Sequence, residues 1–242
     1  MHITVPQRIC LIASLLPLLT FAASYLLSVV GGHVDWCNPY IGGCTTITAT
    51  GIYYPAAYVL RGGIVSSAVV FVLWWYCTHI WLKDAKDPNP GCGIKLLIWV
   101  ASLASLTLVA SMVVLGENME PSSEHRELWQ FHSITAVVFF VFTSVCQIIM
   151  TLYMWRHRQA LSTTGFRISA KAVLAIIQAV ILIVLIAALL LGKETHWLIN
   201  TTEWWIATLC SLFYLTSYPD WKAFRLTRME QRQAETPVGD TV

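Results

Sequence analysis

Three residues with side chains capable of chemistry lie in or beside long apolar runs: Arg61, His132 and Glu203. A guanidinium can bind a phosphate or carboxylate bidentately, and histidine with glutamate can act as an acid–base pair. Plainer interpretations also exist. Arg61 can extend towards the membrane surface, and Glu203 can sit in the first turn of a helix, where the dipole favours an acid. Because a charge at membrane depth costs about 2.5–3.5 kcal/mol on insertion scales, each residue needs a reason to be there.

Two polar stripes continue from His132 and Glu203 at helical spacing. Such stripes usually supply hydrogen bonds between membrane helices. If the two faces meet, they can also leave a polar cavity, which adds Gln147 and Tyr214 to the candidate lipid-binding residues Arg61, His132 and Glu203. The stripes comprise Thr135, Thr143, Gln147 and Thr151 on one helix and Ser211, Tyr214 and Tyr218 on the other.

Several histidines and acids cluster in segments that we predict to share one side of the membrane, where a zinc or acid–base site is conceivable. The chain has no HExxH zinc motif, no GxSxG nucleophile motif and no glycine-rich phosphate loop. We therefore expect no metal and no cofactor. The clustered residues are His33, His125, His132 and His196, with Asp35, Glu117, Glu120, Glu124 and Glu203.

The composition identifies the kind of protein that must position these residues. Of 242 residues, 57% are hydrophobic and 12% are charged, whereas soluble domains are about 45–50% apolar and about 25% charged. A net charge of +2 gives no basis for nucleic-acid binding. The apolar residues form six runs of about the length that a bilayer requires. We predict an all-α polytopic membrane protein with spans near 9–30, 58–82, 94–115, 131–155, 171–191 and 204–218.

Lysine and arginine predict the orientation of these spans. Most of them lie at the N-terminus, in the second and fourth loops and in the tail, which places both termini in the cytoplasm. Residues 1–224 then form one six-helix transmembrane domain. Residues 225–242 form a cytoplasmic tail that we expect to be disordered.

The opposite, outer side holds two further predicted features. Cys37 and Cys44 are the only cysteines in the outer loops, where an oxidising compartment would allow a disulfide. Asn200 begins an Asn-Thr-Thr glycosylation sequon on the same side. We therefore predict a disulfide-bonded glycoprotein.

Three stretches resemble the family that unites damage-regulated autophagy modulators with membrane proteins of GPI-anchor lipid remodelling. They are residues 37–40 with 46–51 and Pro55, residues 132–137 with Gln147, and residues 202–205 with 213–224. The resemblance supports Arg61, His132 and Glu203 as a shared outer-side constellation. Ala56 stands where the GPI-remodelling branch has an acid, so no role of that acid is carried over.

The resemblance implies lipid handling, with GPI-anchor or related lipid remodelling in an endomembrane (Golgi, ER or lysosome) or at the plasma membrane. In this hypothesis the partners are membrane lipids, and Arg61 holds an anionic headgroup. A second hypothesis is a non-enzymatic regulator of autophagy or lipid-kinase recruitment, which binds a protein through its cytoplasmic loops and tail. A third is an intramembrane hydrolase or acyltransferase that uses His132 and Glu203 as catalytic residues.

Overall fold

All of the regular secondary structure that the protein shows is helical. The structure, a computed structural model, describes residues 3–84, 91–116, 126–159, 161, 165–193, 195–222 and 224. The all-α prediction is therefore confirmed for this part of the chain. Its helices are α1 (Val5–Val30), α2 (Pro39–Gly42), α3 (Ile47–Thr50), α4 (Ala56–Asp84), α5 (Cys92–Val114), α6 (Arg126–Arg156), α7 (Gly165–Leu190) and α8 (His196–Leu215).

Five helices are long and apolar enough to cross a membrane, namely α1, α4, α5, α6 and α7. This confirms a multi-pass helical membrane protein, and each of the five covers one predicted run to within a few residues. α8 is not among them. Its 20 residues would measure about 30 Å, enough for a bilayer core, but polar side chains occupy its first turns.

The start of α8 differs from the prediction. We expected a span at 204–218, whereas α8 begins at His196 because the hydroxyl of Thr195 caps it and accepts the N–H of Leu198 at 3.1 Å. Glu203 consequently lies two turns inside the helix. The interpretation of Glu203 as a first-turn acid that complements the helix dipole is wrong.

The six long helices form a ring in chain order. α1 packs on α4, α4 on α5, α5 on α6, α6 on α7 and α7 on α8, and α8 closes the ring against α1. α1 and α4 come closest at Gly63, where a side chain would collide with Thr20. α8 also contacts α6 across the ring, so the helix that carries Glu203 lies beside the helix that carries His132.

α7 is the least buried of the five apolar helices. Only 11% of its most apolar window is buried, against 39–44% for the other four. Its neighbours in the described chain are α6 and α8. A helix that is apolar all round and this exposed is suited to face lipid.

An ion pair that the sequence analysis did not predict joins the start of α7 to the segment after α8. Lys171 Nζ lies 3.0 Å from Asp220 Oδ2, and both side chains are 1% exposed. The ammonium also donates to Thr216 Oγ1 at 3.0 Å, and Arg167 approaches Asp220 Oδ1 at 3.4 Å. We call Lys171 and Asp220 the clamp pair. A buried ion pair persists only when further hydrogen bonds accompany it, and Thr216 and Arg167 supply them.

The N-terminus of α1 is fastened to the same segment. Thr4 Oγ1 donates to the carbonyl of Trp221 at 3.3 Å, and Gln7 Nε2 donates to the carbonyl of Tyr218 at 3.2 Å. Thr4 and Gln7 also form the capping box of α1. The first and last long helices are thus joined at this end of the ring, and the first loop, with α2 and α3, covers the other end.

Candidate functional site

Glu203 is held by the first loop. Its Oε1 accepts two hydrogen bonds from Thr48, one from the backbone N–H at 3.3 Å and one from the hydroxyl at 3.2 Å. Thr48 is the second residue of α3, whose N-cap Thr46 accepts the N–H of Ala49 at 2.9 Å. This cap leaves the N–H of Thr48 free to meet the carboxylate, as first-turn amides of a helix can.

His132 continues the network from the other side of Thr48. Its Nε2 lies 3.1 Å from Thr48 Oγ1, and its Nδ1 lies 2.9 Å from the carbonyl oxygen of Ser111. A carbonyl oxygen can only accept, so Nδ1 carries a proton. The hydroxyl of Ser111 donates to the carbonyl of His132 at 3.2 Å, which ties α5 to α6 at this level. His132 is 3% exposed.

The resulting chain from Glu203 through Thr48 to His132 can hold one proton in two ways. If Glu203 is ionised, the Thr48 hydroxyl donates to it and accepts from Nε2–H of a doubly protonated His132. If Glu203 is protonated, it donates to Thr48, whose hydroxyl then donates to Nε2 of neutral His132. Both arrangements satisfy every group, and they differ only by proton shifts along the chain. This is the geometry of an acid–base pair with a hydroxyl relay. We call Glu203, Thr48 and His132 the relay triad.

The relay triad lies where two cavities adjoin. A cavity of about 50 Å³, which we call the internal cavity, is lined by residues of α1, α3, α4, α5, α6 and α8. A lateral groove of about 220 Å³ runs between α6, α7 and α8. All three triad residues line both spaces, together with Ala136 and Phe140. The other groove residues are mainly aliphatic, among them Leu182, Leu185, Ile186, Leu189 and Ile206.

The cavities are therefore more apolar than the polar stripes predicted. The polar groups of His132 and Glu203 lie at one end of the cavity and the groove. The rest of the lining is mainly aromatic and aliphatic. No lysine or arginine of the described residues lines either space. Among the described residues, the charge-bearing groups at the junction are the carboxylate of Glu203 and the imidazole of His132.

Arg61 lies apart from the relay triad. Leu60 and Ile64 line the internal cavity, and Arg61, one residue after Leu60, is rotated by about 100° around α4. It makes no ion pair with Glu203, and its Nε is buried without a hydrogen-bond partner in the described part of the chain. Of the three residues predicted to form one constellation, the structure thus brings together His132 and Glu203, and Arg61 lies apart from them. The headgroup role of Arg61 stays a prediction.

Gln147 and Tyr214, the remaining lipid-binding candidates, lie deeper in the ring. Both are 0% exposed, and neither lines the cavity or the groove. Phe71 stacks on Tyr214 with ring centroids 4.5 Å apart and on Phe139 at 6.0 Å. Since Phe71 and Phe139 line the internal cavity, this aromatic layer separates it from Gln147 and Tyr214.

A disulfide holds the first-loop segment that carries Thr48. Cys37 and Cys44 are bonded, as predicted, with their Cα atoms 6.5 Å apart. The hydroxyl of Tyr25 on α1 accepts the N–H of Cys37 at 2.8 Å and donates to its carbonyl at 2.6 Å. The loop is thereby attached to the end of α1.

Side chains of α8 hold the other face of the same loop. Trp197 Nε1 donates to the carbonyl of Ile41 at 2.7 Å, and Asn200 Nδ2 donates to the carbonyl of Gly43 at 2.7 Å. Tyr40 Oη lies 2.8 Å from Thr208 Oγ1. Asn200 therefore has a defined structural contact, and its glycosylation stays a prediction.

The family comparison covers nearly all of these residues. Residues 7–224 match the model of the Frag1/DRAM/Sfk1/Cwh43P N-terminal domain. The chain belongs to this family. Comparisons with curated proteins and with solved structures found no match. Membership in the Frag1/DRAM/Sfk1/Cwh43P family confirms the resemblance derived from the sequence and, with the five apolar helices, establishes an integral membrane protein.

The three stretches that carried this resemblance each contribute one member of the relay triad. Thr48 comes from the first-loop stretch, His132 from the start of α6 and Glu203 from α8. Sequence reasoning selected His132 and Glu203 but missed Thr48 and Ser111. Thr48 had a usable signal, because Thr46 two residues earlier is a typical N-cap. Ser111 had none, because serines recur throughout the apolar run of α5.

Some predicted features lie outside the described residues. Glu117, Glu120, Glu124 and His125 of the third loop belong to this group, as do residues 225–242 of the tail. Within the described residues, no group of three metal-ligating side chains is close enough to hold an ion. His33 instead stacks on Tyr53 with ring centroids 4.4 Å apart.

Proposed function

We propose that this member of the Frag1/DRAM/Sfk1/Cwh43P family binds a membrane lipid in the lateral groove and presents the lipid's polar end to the relay triad. A single observation carries the proposal. An apolar groove between α6, α7 and α8 ends at the half-buried carboxylate of Glu203 and the buried side chains of His132 and Thr48. Ligand sites commonly combine such an apolar wall with a few convergent polar groups.

The topology of the proposal uses α8 as a sixth span. Its length matches a bilayer core, and with six spans the lysine and arginine bias supports cytoplasmic termini as part of this proposal. The relay triad then faces the outer leaflet, and the clamp pair lies near the cytoplasmic surface. The disulfide is consistent with an oxidising outer compartment.

The charge at the junction favours a particular kind of polar end. A phosphate beside Glu203 would place a second anion next to its carboxylate, and no lysine or arginine among the described residues lines the site. A hydroxyl, amide N–H or ammonium could instead donate to Glu203. An anionic part of the same lipid would have to lie elsewhere, and Arg61 on the adjacent face of α4 is the predicted contact for it.

Within this proposal, family membership supports GPI-anchor or related lipid remodelling in an endomembrane or at the plasma membrane as the biological setting. The alternative of a regulator of autophagy or lipid-kinase recruitment depends on cytoplasmic contacts. Its tail, residues 225–242, lies outside the described residues. The relay triad at the end of an apolar groove is the feature that supports lipid binding.

Lipid extraction from purified protein, read by mass spectrometry, tests the proposal. We expect Glu203→Gln and Ala136→Phe each to reduce one lipid class several-fold, because the first removes the acceptor charge and the second narrows both spaces. Glu127→Gln is the matched control, since Glu127 is exposed in the first turn of α6. Arg61→Ala reports separately on the predicted anionic contact. Identical lipids in equal amounts from the native protein, Glu203→Gln and Ala136→Phe would refute a lipid site at the relay triad.

The relay geometry favours a second candidate function, acyl transfer or ester hydrolysis. His132 Nε2 would accept the proton of an attacking lipid hydroxyl or water, and the departing alkoxide would take that proton back. The test is turnover of an isotopically labelled ester lipid by the protein in nanodiscs. Loss of turnover in His132→Gln with unchanged lipid retention would support catalysis, and absence of turnover in the native protein would leave binding alone.

A further inference from the structure

A second polar cluster lies in the middle of the ring, below the aromatic layer of Phe71 and Phe139. Its members are Trp75 on α4, Thr143 and Gln147 on α6, and Tyr214 on α8. All four side chains are 0% exposed. Thr143 and Gln147 are four residues apart and therefore share a helix face. The Tyr214 hydroxyl lies beside the side chains of Trp75 and Gln147 but outside hydrogen-bonding geometry.

Every polar side-chain atom of this mid-ring cluster lacks a hydrogen-bond partner among the described residues. The atoms are Trp75 Nε1, Thr143 Oγ1, Tyr214 Oη and both Nε2 and Oε1 of Gln147. Buried polar groups are almost always paired with protein or ordered water, because an unmade bond loses the hydration of the group. Five unpartnered buried atoms in one cluster therefore indicate that a ligand binds there.

Their chemistry identifies the ligand class. Trp75 Nε1 can only donate, Gln147 both donates and accepts, and the two hydroxyls can do either. A metal cation would be opposed by the indole and amide N–H groups, and an anion would find no charged partner in the cluster. A molecule that both accepts and donates fits all four side chains. The aromatic layer separates them from the internal cavity, and none of the four side chains lines the lateral groove, so a lipid headgroup in either space would not contact them.

We propose that the mid-ring cluster is a binding site for water, with about two molecules bound, since each buried water makes about three hydrogen bonds. The waters join α4, α6 and α8 at membrane depth where these helices make no direct side-chain hydrogen bond through the cluster. This assigns Gln147 and Tyr214 a ligand other than a lipid. The inference is independent of the proposed function, because it uses none of the relay triad residues.

The structure contains an internal control for this proposal. Trp74, next to Trp75 and equally buried at 1% exposed, donates from Nε1 to the carbonyl of Tyr214 at 3.3 Å. One indole thus has a protein partner, and its neighbour has none. Only the second should contact bound water.

The experiment is water-to-indole cross-relaxation in full-length protein labelled with ¹⁵N-tryptophan in nanodiscs. The two signals are assigned with Trp75→Phe and Trp74→Phe. If Trp75→Phe does not fold, Tyr214→Phe, which removes a single oxygen, identifies the Trp75 signal by its shift. We expect a water cross-peak at Trp75 that is several-fold stronger than at Trp74.

Two variants complete the test. Gln147→Leu removes two of the five polar atoms, and the only amide of the cluster, and should weaken the Trp75 cross-peak several-fold. Gln178→Leu is the matched control, because Gln178 is equally buried but its Oε1 already accepts hydrogen bonds from Ser144 Oγ and Cys210 Sγ. It should leave the cross-peak unchanged. No cross-peak at Trp75 would overturn the proposal, and so would equal cross-peaks at Trp74 and Trp75 or an unchanged cross-peak in Gln147→Leu.

Discussion

Replacing Thr48 by valine removes the hydroxyl that links Glu203 to His132 and keeps the shape of the side chain. The backbone N–H of Thr48 still donates to Glu203, and His132 still donates to Ser111. Helix α3 keeps its cap, which is supplied by Thr46. The substitution therefore isolates two hydrogen bonds, at 3.2 Å to Glu203 and at 3.1 Å to His132.

The expected loss follows from the kinds of bond removed. A hydrogen bond to a charged group contributes about 1.5–3 kcal/mol and a neutral one about 0.5–1.5 kcal/mol. Glu203 and His132 are both charged in one proton arrangement and both neutral in the other, so we expect Thr48→Val to lower the free energy of unfolding by an intermediate amount, about 2–4 kcal/mol. That corresponds to about a 30- to 900-fold change in the unfolding equilibrium constant. Thr48→Ser keeps the hydroxyl and loses one methyl group, which should cost about 0.8 kcal/mol.

Reversible unfolding in mixed detergent micelles measures these differences. Thr107→Val is the matched control, because the Thr107 hydroxyl donates only within α5, to Ala104. We expect the native protein, Thr107→Val and Thr48→Ser to have similar free energies of unfolding. The free energy of unfolding of Thr48→Val should be well below all three. If Thr48→Val unfolds with the same free energy as Thr107→Val, Thr48 is not the bridge and the relay triad does not exist as described.

Three further predictions concern other parts of the fold. Asp220→Asn should lower the free energy of unfolding by about 3–5 kcal/mol, because the buried ammonium of Lys171 loses its counter-charge. The double variant Lys171→Met with Asp220→Leu should recover most of that loss. Chemical denaturation of the single and double variants measures both effects. Removing the disulfide with Cys37→Ser and Cys44→Ser should cost about 2–3 kcal/mol through the added freedom of a short loop, and equal stability of oxidised and reduced protein would contradict this. Cys92 is the exposed free cysteine of the described chain, so a membrane-impermeant maleimide should label it once the plasma membrane alone is permeabilised; labelling of intact cells, or labelling only after internal membranes are also permeabilised, would contradict the proposed topology.

Much of the fold was predictable because membrane spans leave a strong signal. An apolar run of about 20 residues must be helical in lipid, so the five apolar helices followed from composition alone. The start of α8 was not predictable in this way. Asn200, Thr201 and Thr202 resemble a loop in composition, and their helical state depends on the Thr195 cap and on contacts with the first loop.

The clamp pair could not be predicted from the sequence, for a different reason. Lys171 was counted with the basic residues that set orientation, and Asp220 belonged to the family-like ending, 49 residues away. Nothing in the local pattern of either residue indicates a partner. Their pairing depends on the packing of α7 against α8, which is a property of the closed ring.

The candidate site was half predictable for a related reason. A histidine and a glutamate at membrane depth are expensive, so their types alone marked them as candidates. The bridge between them comes from a short helix in a loop, where a threonine is an ordinary residue. Arg61 was a candidate for the same reason, because a charge at membrane depth is costly in free energy. Its position on α4, one residue past Leu60, turns it away from the cavity.

The position of Glu203 argues for entry of the ligand from the side of α7. A carboxylate partly removed from water needs hydrogen bonds that replace its hydration, and Thr48 supplies two of them to Glu203 from a loop closed by a disulfide. That loop covers the end of the ring, so the direct route to the carboxylate is the lateral groove between α6, α7 and α8. α7 is also the helix with the least buried surface, and moving it would disturb the fewest contacts. A lipid that enters this groove from the bilayer would keep its tail in an apolar environment and bring its polar end to Glu203, which explains why a costly acid lies at the junction of two apolar spaces.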